Sequence, residues 1–360
     1  MLHRKSNYLF WTLLRASHYL CVMNAVEIFA ALGEKLREFG SDAPSRRAIE
    51  EAVAANPWFT PEDIVYAVEA IRTRMLGRGQ LEEFAARYPC PVARPRNVGV
   101  IMAGNIPLVG FYDLLCTLVA GHACLIKTSS KDNVLMEYVC GLLRGIEPGI
   151  AITLLDTLPQ PGAPSPFDAV IATGSDNTCR YFRSLYPTIP SLLRGSRHSA
   201  AILRGDENAR QLSGLAQDMF LYGGLGCRSV GRIFVPEDYQ LPPLCAALAQ
   251  YEQRANPKLR SNCRQRRAVL TMNGVELLDG GFFVMREGDD FPVSPGEIIV
   301  TRYADFTHLL HLFEKADTKL QCIVADGFPH RACVPFGMAQ RPGLMDFPDG
   351  VDVLSFLSKL

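Results

Sequence analysis

From residue 23 to about residue 88 the apolar residues recur at helical spacing, most clearly in MNAVEIFAALGEKLREFG, and Pro57 and Pro61 punctuate the run. In NPWFTPEDIVYAVEAI, Thr60 can cap a helix, Pro61 suits its first turn, and Glu62 and Asp63 favour its positive end. This pattern predicts a helical arm over 23–90 with no strand in it. The Pro-rich YPCPVARPRN closes the arm, and the period then changes. Short apolar runs now alternate with helical patterns: VGVIM before LVGFYDLLCTLVA, ACLIK before NVLMEYVCGLLRGI, then IAITLL, DAVIAT with a short helix, and SAAILR before ENARQLSGLAQDMFLY. Near-continuous apolar strands separated by helices predict a parallel sheet covered on both faces. The second half repeats the theme with RIFV, AVLT, FFVM, EIIVTR, a helix through FTHLLHLFEKA, and LQCIVA. Within it, RANPKLRSNCRQRRA reads as a basic loop. The predicted class is α/β: a lobe over 91–205, a second over 206–345, and a tail over 346–360. A cleft between two such lobes is where ligands usually bind.

Composition adjusts this picture in three places. A chain of 360 residues fits about two domains at the usual ~100–200 residues each. Its 37 basic residues balance 37 acidic ones, and without a basic excess no nucleic-acid partner is expected. Eleven cysteines with no CxxC pair read as reduced thiols in a cytoplasmic protein, most of them small buried hydrophobes. Met1–Val22 has a basic start and apolar residues, but Arg15 and His18 interrupt it and no small-residue cleavage site follows. It also falls short of the roughly 20 unbroken apolar residues of a membrane span. The reading is a disordered or non-native extension with the ordered fold beginning near Met23; an interfacial amphipathic anchor is the alternative.

Generic motifs exclude more than they propose. GxxxxGK[ST], HExxH and GxSxG are all missing, which removes P-loop nucleotidases, zincins and ordinary α/β-hydrolases. The GxG of Gly224 and Gly226 follows no strand and fails as a dinucleotide fingerprint. His308 with His311, and the loose set Cys322, His330 and Cys333, lack zinc spacing, so no metal is expected. Cys227 stands out, flanked by Gly223, Gly224 and Gly226 and followed by Arg228 and Ser229. Glycines let a backbone approach a ligand closely, and an adjacent Arg lowers a thiol pKa. A buried Cys in a tight turn before RIFV is the other reading. Asn105 follows a strand and a Gly; its carboxamide can donate to a developing oxyanion or cap the next helix. Lys127 ends the next strand, where a cofactor's ribose or phosphate would lie, although a solvated strand end reads the same. Gly174 and Ser175 open a helix at a third strand end, where backbone amides can receive a phosphate.

Taken in order, these segments resemble the aldehyde dehydrogenase superfamily, and more closely its LuxC-type fatty acyl-CoA reductase branch. Gly104-Asn105-Ile106-Pro107 matches the Asn turn, and VAGHACLIKTSS matches AAGNxVxxKPSE with Lys127 on its Lys. IATGSDNTC matches FTGSxxxG through Gly174 and Ser175. GLGCRSVGRIFV matches GQxCxxxxRxxV with Cys227 and Arg232, and PFGM resembles PFGG. The likeness covers about residues 95–345 and implies two Rossmann-like lobes behind the helical arm. It also implies Cys227 as nucleophile, Asn105 as oxyanion donor, and NADPH held by Lys127, Ser129, Ser130, Gly174 and Ser175. Two departures sharpen it. The general-base Glu of the oxidising members, which activates water against the acyl-enzyme, aligns with Arg194. The Glu that holds NAD ribose hydroxyls aligns with Ser130, beside Lys131, which tolerates a 2′-phosphate. The resemblance thus implies reduction of a fatty acyl-CoA to an aldehyde with coenzyme A released. A homo-oligomer, for which the tail GVDVLSFLSKL would add an interface strand, or an acyl-transferring partner goes with it. A Cys acyltransferase or thioesterase, for which His198 is the nearest candidate base, and a non-catalytic scaffold are the competing readings.

Overall fold

The computed structural model describes residues 24–159, 165–316 and 319–360; the reading of residues 1–22 lies outside them. The arm comprises α1 (Ala25–Lys35), α2 (Ala43–Ala55), α3 (Pro61–Met75) and α4 (Arg78–Ala85). Local chemistry sets three of the four starts: Asn24, Asp42 and Thr60 accept from backbone N–H groups of the turns they cap, and Pro61 opens α3. Ile28, Phe29, Leu32, Ile64 and Val68 carry the arm into the core of the first lobe.

That lobe is a five-stranded parallel sheet in the order β3-β2-β1-β4-β5. Its strands are β1 (Asn97–Ile101), β2 (Ala123–Lys127), β3 (Ile152–Leu154), β4 (Ala169–Thr173) and β5 (Ser191–Arg194). Helices α5 (Phe111–Val119), α6 (Asn133–Ile146) and α7 (Asp176–Leu185) connect them. The order reverses between β1 and β4, so a crevice opens beyond their carboxyl ends.

The second lobe is a seven-stranded sheet in the order β12-β11-β6-β7-β10-β9-β8, parallel except at β8–β9. It contains β6 (His198–Ile202), α8 (Ala209–Phe220), β7 (Val230–Pro236), α9 (Leu241–Ala249) and α10 (Pro257–Met272). Then come β8 (Leu278–Asp279), β9 (Val284–Glu287), β10 (Glu297–Tyr303), α11 (Phe306–Ala316), β11 (Leu320–Val324) and β12 (Cys333–Val334). A last helix, α12 (Val353–Leu357), ends the chain.

Three expectations change. Strand β6 pairs with β7 and β11, so the sheets change over between Arg194 and His198, ahead of the sequence boundary at residue 205. The segment read as a basic loop followed by the strand AVLT is one helix, α10. Asn256 caps it by accepting from the Lys258 N–H at 2.7 Å, Pro257 opens it, and Leu259, Cys263 and Leu270 share its buried face. Its Arg residues obscure this sparse stripe in the sequence; Arg266 turns to the buried Glu297 at 2.8 Å. The tail, read as a strand for an interface, is instead helix α12, whose Val353, Leu354 and Leu357 are fully buried in the first lobe's core. No helix among the described residues is long and apolar enough to cross a membrane.

Candidate active site

A cleft of about 810 Å³ lies between the carboxyl ends of β1, β2, β4 and β5 and the turn before β7. Asn105, Ser129, Gly174, Ser175, Arg194 and Cys227 all contribute to its wall. Of the ten described cysteines, Cys227 alone is exposed; six are buried and three half-buried. The thiol meets the open cleft, yet protein packs around it on the other sides. That burial pushes it up to about 11, with Arg228 acting in the opposite direction. The lowering expected from the neighbouring arginine is therefore outweighed, and the Arg228 Nε donates to the Ala339 carbonyl at 2.5 Å.

Asn105 sits in the bend after β1, and its Nδ2 donates to the Leu225 carbonyl at 2.7 Å, two residues before Cys227. Helix α5 starts from Gly110 with no side-chain cap, which removes the capping reading of Asn105. The two turns that hold these side chains are each braced by a buried carboxylate that sequence reasoning missed. Asp132 accepts from the Leu108 N–H at 2.6 Å and holds that residue at φ 55°, a left-handed conformation that a leucine rarely adopts. Asp218 accepts from the Gly337 and Ala339 N–H groups at 2.6 and 3.0 Å. A Cβ at Gly214, on α8, would come within 2.9 Å of the Gly337 backbone, so this crossing needs a glycine. From there Gln340 donates to Ser229 Oγ at 3.2 Å, and Ser229 Oγ accepts from Gly226 N–H at 3.2 Å. Burial pushes Asp132 up to about 8 and Asp218 up to about 7.

Arg194, aligned with the missing general base, is buried and its Nη1 donates to both Asp113 oxygens at 2.7 and 2.9 Å. Asp113 is held in this ion pair, and Asp349, a carboxylate of the cleft wall that acts on both Cys227 and Arg194, is paired with Arg197 at 3.3 Å. His198 is half-buried on β6 and stacks on Phe291 with centroids 4.4 Å apart, outside the cleft wall. Burial lowers its pKa. Arg232 lies inside the second lobe, with Nε on Thr301 Oγ1 at 2.8 Å.

The remaining candidates divide. Ser175 Oγ caps α7 by accepting from Thr178 N–H at 3.3 Å, and with Gly174 it faces the cleft. Ser129 and Lys131 line the cleft at the end of β2. Lys127 does not: its Nζ donates to the Thr128 carbonyl at 2.8 Å, and both it and the exposed Ser130 stand outside the wall. Among the described residues no group of His, Cys, Asp or Glu is arranged to hold a metal. The opposite wall is apolar, formed by Ala67, Ala70, Ile71 and Met75 of α3 with Ile106 and Tyr112.

The model of the LuxC acyl-CoA reductase family matches residues 81–268, more than half of the chain. The chain belongs to the LuxC acyl-CoA reductase family. This LuxC-family chain is 27% identical over 225 residues to a long-chain acyl-protein thioester reductase of Aliivibrio fischeri, covering 58% of this chain and 47% of the relative. It thus spans about half the length of the curated relative it matches. Among solved structures it resembles an aldehyde dehydrogenase of Bacillus cereus in complex with NAD+, at TM-score 0.60 and 14% identity, over 84% of this chain and 72% of that one. It also resembles aldehyde dehydrogenase 21 of Physcomitrella patens, solved with the product succinate, at TM-score 0.63 and 14% identity, over 87% and 75% of the two chains. These likenesses show that this chain has the fold of the aldehyde dehydrogenases: mixed α/β with parallel sheets.

Proposed function

We propose that this chain is a reductase that converts a fatty acyl thioester to an aldehyde through an acyl-enzyme on Cys227, with NADPH as reductant. The observation that carries the reading is the exposed Cys227 thiol on the cleft wall, with the Asn105 amide donating to Leu225, two residues before it. Asn105 is already turned towards the nucleophile's loop. An incoming carbonyl would draw its N–H, together with the Cys227 backbone N–H, onto the developing oxyanion. The apolar wall contributed by α3 suits an acyl chain.

Cys227 acts as its thiolate, so its proton first leaves to solvent, balancing the one the departing thiol later takes up. The thiolate forms a C–S bond to the thioester carbonyl carbon; the bond to the departing thiol breaks, and that thiol carries off the electron pair and takes up a proton. Coenzyme A is the departing thiol we favour. Ser129, Lys131, Gly174 and Ser175 would hold the cofactor: hydroxyls, a cation and a helix N-terminus suit a dinucleotide's phosphates. Next to Lys131, Asp132 is engaged by Leu108, which leaves the Lys131 cation to meet a 2′-phosphate. The cofactor, when bound, would supply the hydride to the acyl carbon; the C–S bond to Cys227 then breaks, its sulfur keeps the electron pair, and the acyl group leaves as the aldehyde. Arg194 in its ion pair cannot activate water, the cleft carboxylate Asp349 is paired with Arg197, and His198 stands off the cleft, which disfavours hydrolysis of the acyl-enzyme. This weighs against the thioesterase reading.

Incubating the protein with an acyl-CoA series should give a mass adduct that Cys227→Ala abolishes and that NADPH discharges. Discharge at the same rate without NADPH would favour a thioesterase. No adduct with any acyl-CoA, or with an acylated protein donor, would favour a scaffold.

A further inference from the structure

We infer that the turn between α2 and α3 of the helical arm, with the first turn of α3, is a strut that sets the position of the Asn105 turn relative to the Cys227 loop. The inference rests on the reading of Cys227 and Asn105 given above. The residues involved are Asn56, Trp58 and Asp63, which belong to neither lobe.

Asn56 is 4% exposed and uses every polar atom of its side chain. Its Nδ2 donates to the Gly104 carbonyl at 3.3 Å and to the Lys131 carbonyl at 3.2 Å, and its Oδ1 accepts from Trp58 N–H at 3.1 Å. The arm thereby ties together the ends of β1 and β2, one residue before Asn105. On the other side the Trp58 ring packs on Gly223, at φ 64°, where a Cβ would come within 2.8 Å of the ring. Gly223 lies four positions before Cys227, and only glycine both adopts this conformation and leaves room for the indole. The Trp58 carbonyl accepts from Asn256 Nδ2 at 3.0 Å, at the start of α10 in the second lobe. Asp63, itself buried, accepts from the backbone N–H of Tyr222, which is held at φ 56°.

A short piece of arm therefore grips both active-site loops, and the loops have left-handed residues at Leu108, Tyr222, Gly223 and Gly224. Strained backbone persists only where its surroundings over-determine it. Among those surroundings, the buried hydrogen bonds of Asn56 and Asp63 come from outside both lobes. A polar side chain would not be buried there for packing alone, since an alkyl group of that size costs less to bury. These are positioning residues: they touch the loops, not the substrate.

The test compares Asn56→Ala, Asp63→Ala and Trp58→Phe with Ile49→Ala, which removes buried volume elsewhere in the arm. Acylation is followed by intact mass in single turnover with a fatty acyl-CoA, and Tm is measured for each variant. The strut variants should acylate about 10-fold or more slowly at saturating acyl-CoA, because misplacement of about 1 Å has such consequences. Ile49→Ala should lower Tm and leave the rate within about twofold of wild type. Acylation at the wild-type rate in the strut variants, or an equal loss in Ile49→Ala, overturns the strut. Trp58→Phe keeps the turn's backbone hydrogen bonds and serves if Asn56→Ala does not fold. If the wild type forms no acyl adduct, the functional reading fails and alkylation of Cys227 by iodoacetamide decides. A rate and pH profile altered in the strut variants but not in Ile49→Ala supports the strut; unaltered profiles overturn it.

Discussion

Asp132 and Asp218 hold protons unusually tightly for carboxylic acids, because burial opposes their ionisation. The unfolded chain binds those protons with ordinary affinity, near pH ~4. Their contribution to stability is thus fully present below about pH 4 and is lost as pH rises through about 7 for Asp218 and about 8 for Asp132. Asp132→Asn keeps an acceptor for Leu108 and cannot ionise. Its Tm, measured against wild type, should therefore improve between pH 5 and pH 8.5; an equal difference at both would contradict the assignment. Cys227 gives a second pH signature. With its thiol pushed up to about 11, alkylation of the free protein should climb steadily with pH through the alkaline range, and a plateau below pH 8 would contradict the burial described. Asn105→Ala should slow acylation by about 10²–10³-fold, the usual cost of one oxyanion donor, without altering that alkylation profile. Cys227 and Asn105 were legible in the sequence because glycines and strand ends mark them locally. Asp132, Asp218, Asn56 and the Asp113 partner of Arg194 were not, since each acts across a gap of at least 24 residues that only the fold closes.

Among the elements, α3 has the widest reach. Its polar first turn belongs to the strut, and its Ala67 and Ala70 face the cleft one turn apart. Under the proposed function their small side chains would leave the width for an acyl chain. Ala70→Phe should therefore shift preference towards shorter acyl-CoAs, read as the ratio of kcat/KM for a long and a short chain; an unchanged ratio would place the chain elsewhere. The alternation of strand and helix patterns revealed most of the parallel sheets, because buried parallel strands are apolar throughout. It failed at α10, where only Leu259, Cys263 and Leu270 point inward among many arginines. It also assigned β6 to the wrong sheet, for strand partnership is a property of tertiary contacts and not of any strand's own residues.

For the whole molecule, the C-terminal helix closes the first lobe. His122 Nε2 contacts the Leu357 carbonyl at 2.9 Å, and Tyr88 donates to Asp352 at 2.8 Å, tying the chain's end to the arm's exit. Burying Val353, Leu354 and Leu357 contributes about 1.5–3 kcal/mol each. The sum is a large part of the ~5–15 kcal/mol that stabilises a typical domain. Deleting residues 353–360 should leave the protein insoluble or lower its Tm markedly, by calorimetry; a truncated chain that melts like wild type would contradict this closure.

The central claim is reduction of an acyl group held on Cys227. Its most direct test supplies NADPH deuterated at the hydride-donating carbon, together with a long-chain acyl-CoA, and examines the product by mass spectrometry. A fatty aldehyde carrying one deuterium at its carbonyl carbon, lost in Cys227→Ala, is the predicted result. Free fatty acid, or aldehyde without the label, would contradict the claim.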